Sequence, residues 1–248
     1  PTGADSDAVP PMTGRDEDSV DRRRPVRSFV LRQGRMSPAQ QRAFDELTPR
    51  YGVAFAHAPL DFARLFGRSA PVVLEIGCGT GTSTLAMAQA EPDLDVIAVE
   101  VYRRGLAQLL NGIDRAAGEA GPVGNIRLIR GDGVDVLEQL LTADSLTGVR
   151  VFFPDPWPKS RHHKRRLLQP DTLALIADRL RTGGVLHAAT DHAGYARQIA
   201  AVGDAEARLR RARPDEGLPI SIDRPTTKYE TKARRAGSAV TEFVWVKA

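Results

Sequence analysis

The sequence predicts an α/β fold with a mostly parallel sheet and helices on both faces, and three observations carry that prediction. From residue 71 onward, short apolar runs alternate with stretches of helical periodicity. The first apolar run leads into a loop with glycine at positions 77, 79 and 81. Near the end of the chain two apolar runs follow one another with no long helix between them.

Val72–Ile76, Val96–Glu100, Ile126–Arg130, Val149–Pro154 and Val185–Thr190 read as buried strands, short and rich in valine and isoleucine. The stretches 82–90, 103–118, 133–141, 171–181 and 192–211 read as helices. Parallel neighbours need a crossover, and a helix between each pair of strands supplies it. Ile220–Ile222 and Ala239–Lys247 are expected as the last two strands. They complete a seven-stranded sheet with an antiparallel C-terminal strand, because no long helix lies between them to serve as a crossover.

Ahead of this domain (71–248), the chain divides in two. Residues 1–21 hold six acids against one base, a net of −5, which leaves +9 on the rest of a chain whose total is +4. They are nearly free of large apolar side chains and are expected to be a disordered acidic tail. Residues 22–70 form a basic arm, with Arg22, Arg23, Arg24, Arg27, Arg32 and Arg35, followed by a helical segment that opens at Ser37-Pro38 and runs through Leu47. A body this basic suits a polyanionic partner. The single cysteine, Cys78, excludes an internal disulfide and a cysteine-rich zinc site, and the five histidines show no metal spacing. No apolar run reaches the ~18 residues of a membrane-crossing helix, and no basic-then-apolar leader opens the chain. The expected compartment is the cytoplasm, with no membrane, no metal and no obligate protein partner.

The loop Glu75-Ile76-Gly77-Cys78-Gly79-Thr80-Gly81-Thr82 follows the first strand and opens a helix. Glycines there let the backbone turn tightly and approach a ligand beyond the carboxyl ends of the strands. A dinucleotide fingerprint would place glycine where this chain has Thr82, which disfavours NAD. The spacing E-x-G-x-G-x-G instead resembles motif I of class I S-adenosylmethionine-dependent methyltransferases. Glu100 ends the second strand, 21 residues after Gly79, where a carboxylate can accept from both ribose hydroxyls. Asp132, after the third strand, is placed to accept from an adenine amino group, although a plain helix N-cap would also explain it. Glu75 is expected to support the loop or the ammonium group of the cofactor.

At the end of the fourth strand stands Phe153-Pro154-Asp155-Pro156-Trp157-Pro158, whose prolines stiffen a turn that holds Asp155. Trp157 offers a flat face for a base or a lid on the site. Lys159, Arg161, Lys164, Arg165 and Arg166 follow, five bases within eight positions, with His162 and His163 among them. A basic run is usually a solvated face, but at the mouth of a site it can clamp phosphates.

These residues resemble the signature of bacterial tRNA (guanine-N7)-methyltransferases: Phe153 to Trp157, then Lys-x-Arg-His-x-Lys-Arg-Arg. Arg27-Ser28-Phe29-Val30, Arg32-Gln33-Gly34-Arg35, Ala189-Thr190-Asp191 and Arg224-Pro225-x-Thr227-Lys228-Tyr229-Glu230 agree in the family's order over about residues 26–247, with Tyr229 in place of the usual Phe. The resemblance implies a Rossmann-like class I methyltransferase fold, S-adenosylmethionine as cofactor and the variable loop of tRNA as target. It implies cofactor contacts at Glu75, Gly77, Gly79, Gly81, Glu100, Asp132 and Asp155, with Asp155 also catalytic. It implies substrate contacts at Lys159, Asp191, Thr227, Lys228, Tyr229 and Glu230. RNA contacts are expected at Arg161, His162, His163, Lys164, Arg165 and Arg166. The oligomeric state is left open between monomer and homodimer.

Guanine N7 carries an in-plane lone pair and no proton, so its methylation needs no general base; alignment of the reactants at roughly 3 Å does the work. Asp155 is expected to accept from guanine N1–H and N2–H and to stabilise the charge that reaches the purine. An exocyclic amino-group methyltransferase is the first alternative, because Asp155-Pro156-Trp157 is a near miss of its Asp/Asn-Pro-Pro-aromatic motif. A catalytically inactive RNA-binding module is the second, and the intact loop and acids argue against it.

Overall fold

The computed structural model describes residues 27–29, 34–225, 230 and 239–248. The acidic tail, most of the basic arm and the expected substrate residues Thr227, Lys228 and Tyr229 lie outside the described residues.

The strands are β1 (Val72–Ile76), β2 (Asp95–Glu100), β3 (Ile126–Arg130), β4 (Leu146–Phe152), β5 (Leu180–Thr190), β6 (Leu209–Arg211) and β7 (Thr241–Lys247). They form one sheet in the order β3-β2-β1-β4-β5-β7-β6, with β1 to β5 parallel and β7 antiparallel to both its neighbours. The helices are α1 (Pro38–Tyr51), α2 (Phe62–Phe66), α3 (Thr82–Ala90), α4 (Arg103–Ala120), α5 (Gly133–Gln139), α6 (Pro170–Arg179) and α7 (Ala193–Ala205), with a 3-10 turn over Ser160–Arg165. The arrangement is the Rossmann-like methyltransferase architecture that the strand–helix alternation predicts. None of the described helices is long and apolar enough to cross a membrane.

Side-chain alternation divides the core between the two faces. Val72, Leu74 and Ile76 of β1 pack with Ile97 and Val99 of β2 toward α5, α6 and α7. Val96 and Ala98 of β2 join Leu106, Leu109 and Ile113 of α4 and Phe44 of α1 on the other face. α1 starts with a capping box: the Ser37 hydroxyl accepts from the Gln40 backbone and the Gln40 side chain returns the bond.

Two expected elements differ. Ile220–Ile222 is not a strand. Ile220 is buried with Val73, Leu94, Val185 and Val246, where it packs over Gly148, so closely that a Cβ there would lie 2.7 Å from Ile220 Cδ1. Pro219 lacks the N–H a ladder needs, and Ile222 stays 41% exposed. The penultimate strand is instead Leu209–Arg211, which the helical reading of 192–211 had absorbed. That helix ends at Ala205, and Leu209 turns into the core opposite Lys247. Strand β4 also stops short of Pro154, because Phe153 adopts a left-handed φ of 51°.

Candidate active site

The strand order reverses between β1 and β4, the switch point at which an open α/β sheet leaves a crevice between the loops from the strands' carboxyl ends. The β1 loop turns through Gly77 (φ 77°), Gly79 (φ 57°) and Gly81 (φ 72°), all in the left-handed region. A Cβ on Gly77 or Gly79 would meet nothing within 4 Å, so both present bare backbone to open space. Gly81 differs, since a Cβ there would strike Leu109 of α4 at 2.5 Å. Gly105 allows the first turn of α4 to press against the Gly79 carbonyl, which a Cβ would overlap.

Three acids surround this loop. Glu100 accepts from the Gly79 N–H (2.8 Å, Oε2) and the Tyr102 N–H (3.0 Å, Oε1). Burial raises its pKa above 4.5; the Tyr102 and Gly79 N–H groups pull it down and the charge of Asp155 pushes it up. Glu75 is buried in β1 with Oε2 lacking a hydrogen-bond partner among the described residues. Burial raises its pKa too, against the pull of Thr84 and Arg150. Asp132 caps α5, accepting from the Val134 N–H at 3.0 Å, and burial raises its pKa. The N-cap reading of Asp132 is therefore correct as far as it goes.

Across the crevice, Phe153 (φ 51°) and Trp157 (φ 44°) bracket Asp155. Left-handed backbone costs a non-glycine residue about 1–2 kcal/mol, so contacts around the turn hold it in shape. The Phe153 N–H donates to the Ala189 carbonyl at 2.8 Å, which ties the turn to β5 just before Asp191. Trp157 donates from Nε1 to the Ser28 carbonyl at 2.9 Å, which brings the basic arm to the site, and Arg165 lies 5.0 Å over the indole ring.

Residues 69–243 match a family model described as "Putative methyltransferase". A tRNA (guanine-N(7)-)-methyltransferase of Mycolicibacterium gilvum is 67% identical, over 90% of this chain and 86% of its own length. Another, of Mycobacterium avium, is 61% identical over 95% of this chain and 92% of its own. One of Nocardia farcinica is 57% identical over 90% and 84%. This chain belongs to the tRNA (guanine-N7)-methyltransferase family. It is a methyltransferase of the family its own motifs resemble.

In this family member the basic segment after the turn splits in two. Lys159, Arg161 and Lys164 are exposed. Arg166 is only 4% exposed: its Nε donates to the Pro156 carbonyl at 2.8 Å, its Nη1 to Gln198 Oε1 at 2.6 Å, and its guanidinium lies 4.8 Å over the Tyr195 ring. The expectation that Arg166 contacts RNA is corrected: it braces the turn from inside. His162 lies 5.8 Å from the Trp157 ring. Desolvation and the charges of Arg161, Arg165, Lys159 and Lys164 lower its pKa from the ordinary 6.5. His163 is half-buried, with Nε2 unbonded among the described residues.

Asp191 is exposed at the end of β5, beside the Asp155 turn. Glu230 is 1% exposed, its carboxylate held by Arg224 at 2.7 Å. Sequence reasoning missed Arg224, Gly105 and Arg150. Two of these had a signal. Gly105 interrupts a helical stretch, which commonly marks close packing. Arg150 sits inside the apolar run of β4, and a buried charge needs a partner; it has one in Glu91, at 2.5 Å. Arg224 opens the Arg224-Pro225-x-Thr227-Lys228-Tyr229-Glu230 motif, but no local pattern in that irregular segment points to its partners.

Proposed function

We propose that this chain transfers a methyl group from S-adenosylmethionine to N7 of a guanosine in the variable loop of tRNA. The observation that carries the reading is that Asp155 lies near enough for its charge to act on Glu100, the carboxylate that holds the Gly79 loop, within a match that spans residues 69–243. The cofactor, when bound, supplies an electrophilic methyl group on a sulfonium.

The residues present fit that group. Gly77 and Gly79 leave open space where side chains would intrude, and Gly81 keeps α4 close behind the loop. Glu75 Oε2, without a hydrogen-bond partner among the described residues, suits an ammonium group. The Glu100 carboxylate suits a ribose diol, and its two backbone donors already fix its orientation. Asp132 uses Oδ1 as a cap and has Oδ2 for an amino group.

Asp155 accepts from guanine N1–H and N2–H, orients the base, and offsets the positive charge that the purine acquires. No group need remove a proton, since N7 has none. Asp191 frames the base from β5, and Lys159, Arg161 and Lys164 take tRNA phosphates.

The test is incubation with unmodified tRNA and methyl-labelled cofactor, followed by aniline-type cleavage at 7-methylguanosine. Cleavage at one guanosine of the variable loop is the expected result. Label on an exocyclic amine, or no label with folded protein, overturns the reading.

A further inference from the structure

The Arg224 side chain is 2% exposed and bonds two carboxylates from different parts of the fold. Its Nη1 reaches Glu230 at 2.7 Å and its Nη2 reaches Glu242 of β7 at 2.8 Å. The flat face of the same guanidinium lies 4.9 Å from the Phe153 ring centroid and 5.4 Å from that of Phe152. Glu242 is itself bonded to His187 Nε2 at 2.9 Å, and the His187 ring meets the edge of Phe152 at 4.9 Å. A planar cation with fork geometry can bond two carboxylates and stack on rings at once; an ammonium cannot.

Phe153 is the left-handed residue two positions before Asp155, and its conformation is imposed from outside. We propose that Arg224 is a positioning residue: held by Glu230 and Glu242, it packs on Phe152 and Phe153 and so sets where Asp155 stands. This rests on the role proposed above for Asp155. Arg224 touches neither methyl donor nor base; it acts through the turn.

The test compares Arg224→Lys, Asp155→Asn and the double variant by single-turnover methyl transfer to tRNA, with donor and tRNA dissociation constants and melting temperature measured on each. Arg224→Lys is expected to slow the chemical step at least tenfold while both dissociation constants stay within threefold. In the Asp155→Asn background the same change is expected to slow it less than twofold, because the group it positions is gone. Phe153→Leu, which keeps an apolar contact and removes the stacking face, is expected to behave in the same way. It decides the matter if Arg224→Lys does not fold. A wild-type rate in Arg224→Lys, or losses that multiply in the double variant, overturns the inference. A wild-type enzyme that makes no 7-methylguanosine would instead overturn the proposed function.

Discussion

Arg166 donates through Nε to the carbonyl oxygen of Pro156 at 2.8 Å, which makes one member of the basic run a structural support for the turn that carries Asp155. Arg166 and Arg161 should therefore fail in different ways. Arg166→Ala leaves the Pro156 carbonyl and Gln198 without their charged donor, and it is expected to destabilise the fold by about 2 kcal/mol. Arg161→Ala and Lys164→Ala should leave the denaturation midpoint unchanged and weaken tRNA binding. Each should reduce the slope of log affinity against log salt by about 0.9 if it holds one phosphate. Chemical denaturation and salt-dependent binding separate the two classes.

Gly105 and Gly79 make a second decisive contact. An added methyl at 105 overlaps the Gly79 carbonyl, so Gly105→Ala must push α4 and the glycine loop apart. The expected loss is about 1–3 kcal/mol of stability, with donor affinity falling further than stability does. Calorimetric titration with S-adenosylmethionine against the melting temperature measures both.

If Glu100 holds the donor as proposed, donor binding should depend on pH. The Glu100 pKa is raised above 4.5 by burial, so the carboxylate is neutralised on acidification sooner than an exposed glutamate would be. Donor affinity should fall as pH drops through a value above 4.5, because the protonated group is a poorer acceptor for ribose hydroxyls. In Glu100→Gln this dependence should be absent and the affinity low throughout. A wild-type affinity flat down to pH 4.5 would count against the assigned contact.

Glu242 titrates in the opposite sense. Its bond to His187, against burial and with help from Arg224, lowers its pKa from 4.5 to about 2. Its stabilising contribution is thus complete above 4.5 and is lost as pH falls toward about 2. Glu242→Gln should unfold at a higher pH than wild type under acid titration and show a shallower stability–pH slope in that window. Circular dichroism across the acid limb reads it directly.

Asp155→Asn keeps the shape of the turn and removes the negative charge. Turnover should fall by roughly 100-fold or more, with tRNA affinity within a few-fold of wild type. Equal losses in both would move Asp155 from the reaction to plain binding.

Much of this was legible before the fold. The five parallel strands and the glycine loop follow from periodicity and spacing, because each obeys a local rule, whereas the roles expected of Glu75, Glu100 and Asp155 rest on the family resemblance. The penultimate strand was not legible. Leu209–Arg211 has three residues and no alternation to speak of, and it is a strand only because β7 offers it a partner. Ile220 looked like a strand residue because an apolar plug and a strand core share a composition. Arg166 was misread for a related reason: a run of bases carries no mark of which one turns inward. Arg224 depends on Glu242, which lies 18 positions later in the chain, and no window of local sequence brings the two together.

If Asp155 acts as proposed, the two left-handed residues beside it should pull heat resistance and catalysis in opposite directions. Asparagine or glycine at position 153 would relax the backbone by about 1 kcal/mol. It would also delete the ring beneath Arg224 and let the aspartate wander. A laboratory lineage bred only for survival at high temperature should drift toward such replacements, while one bred for methylation should keep the strained phenylalanine.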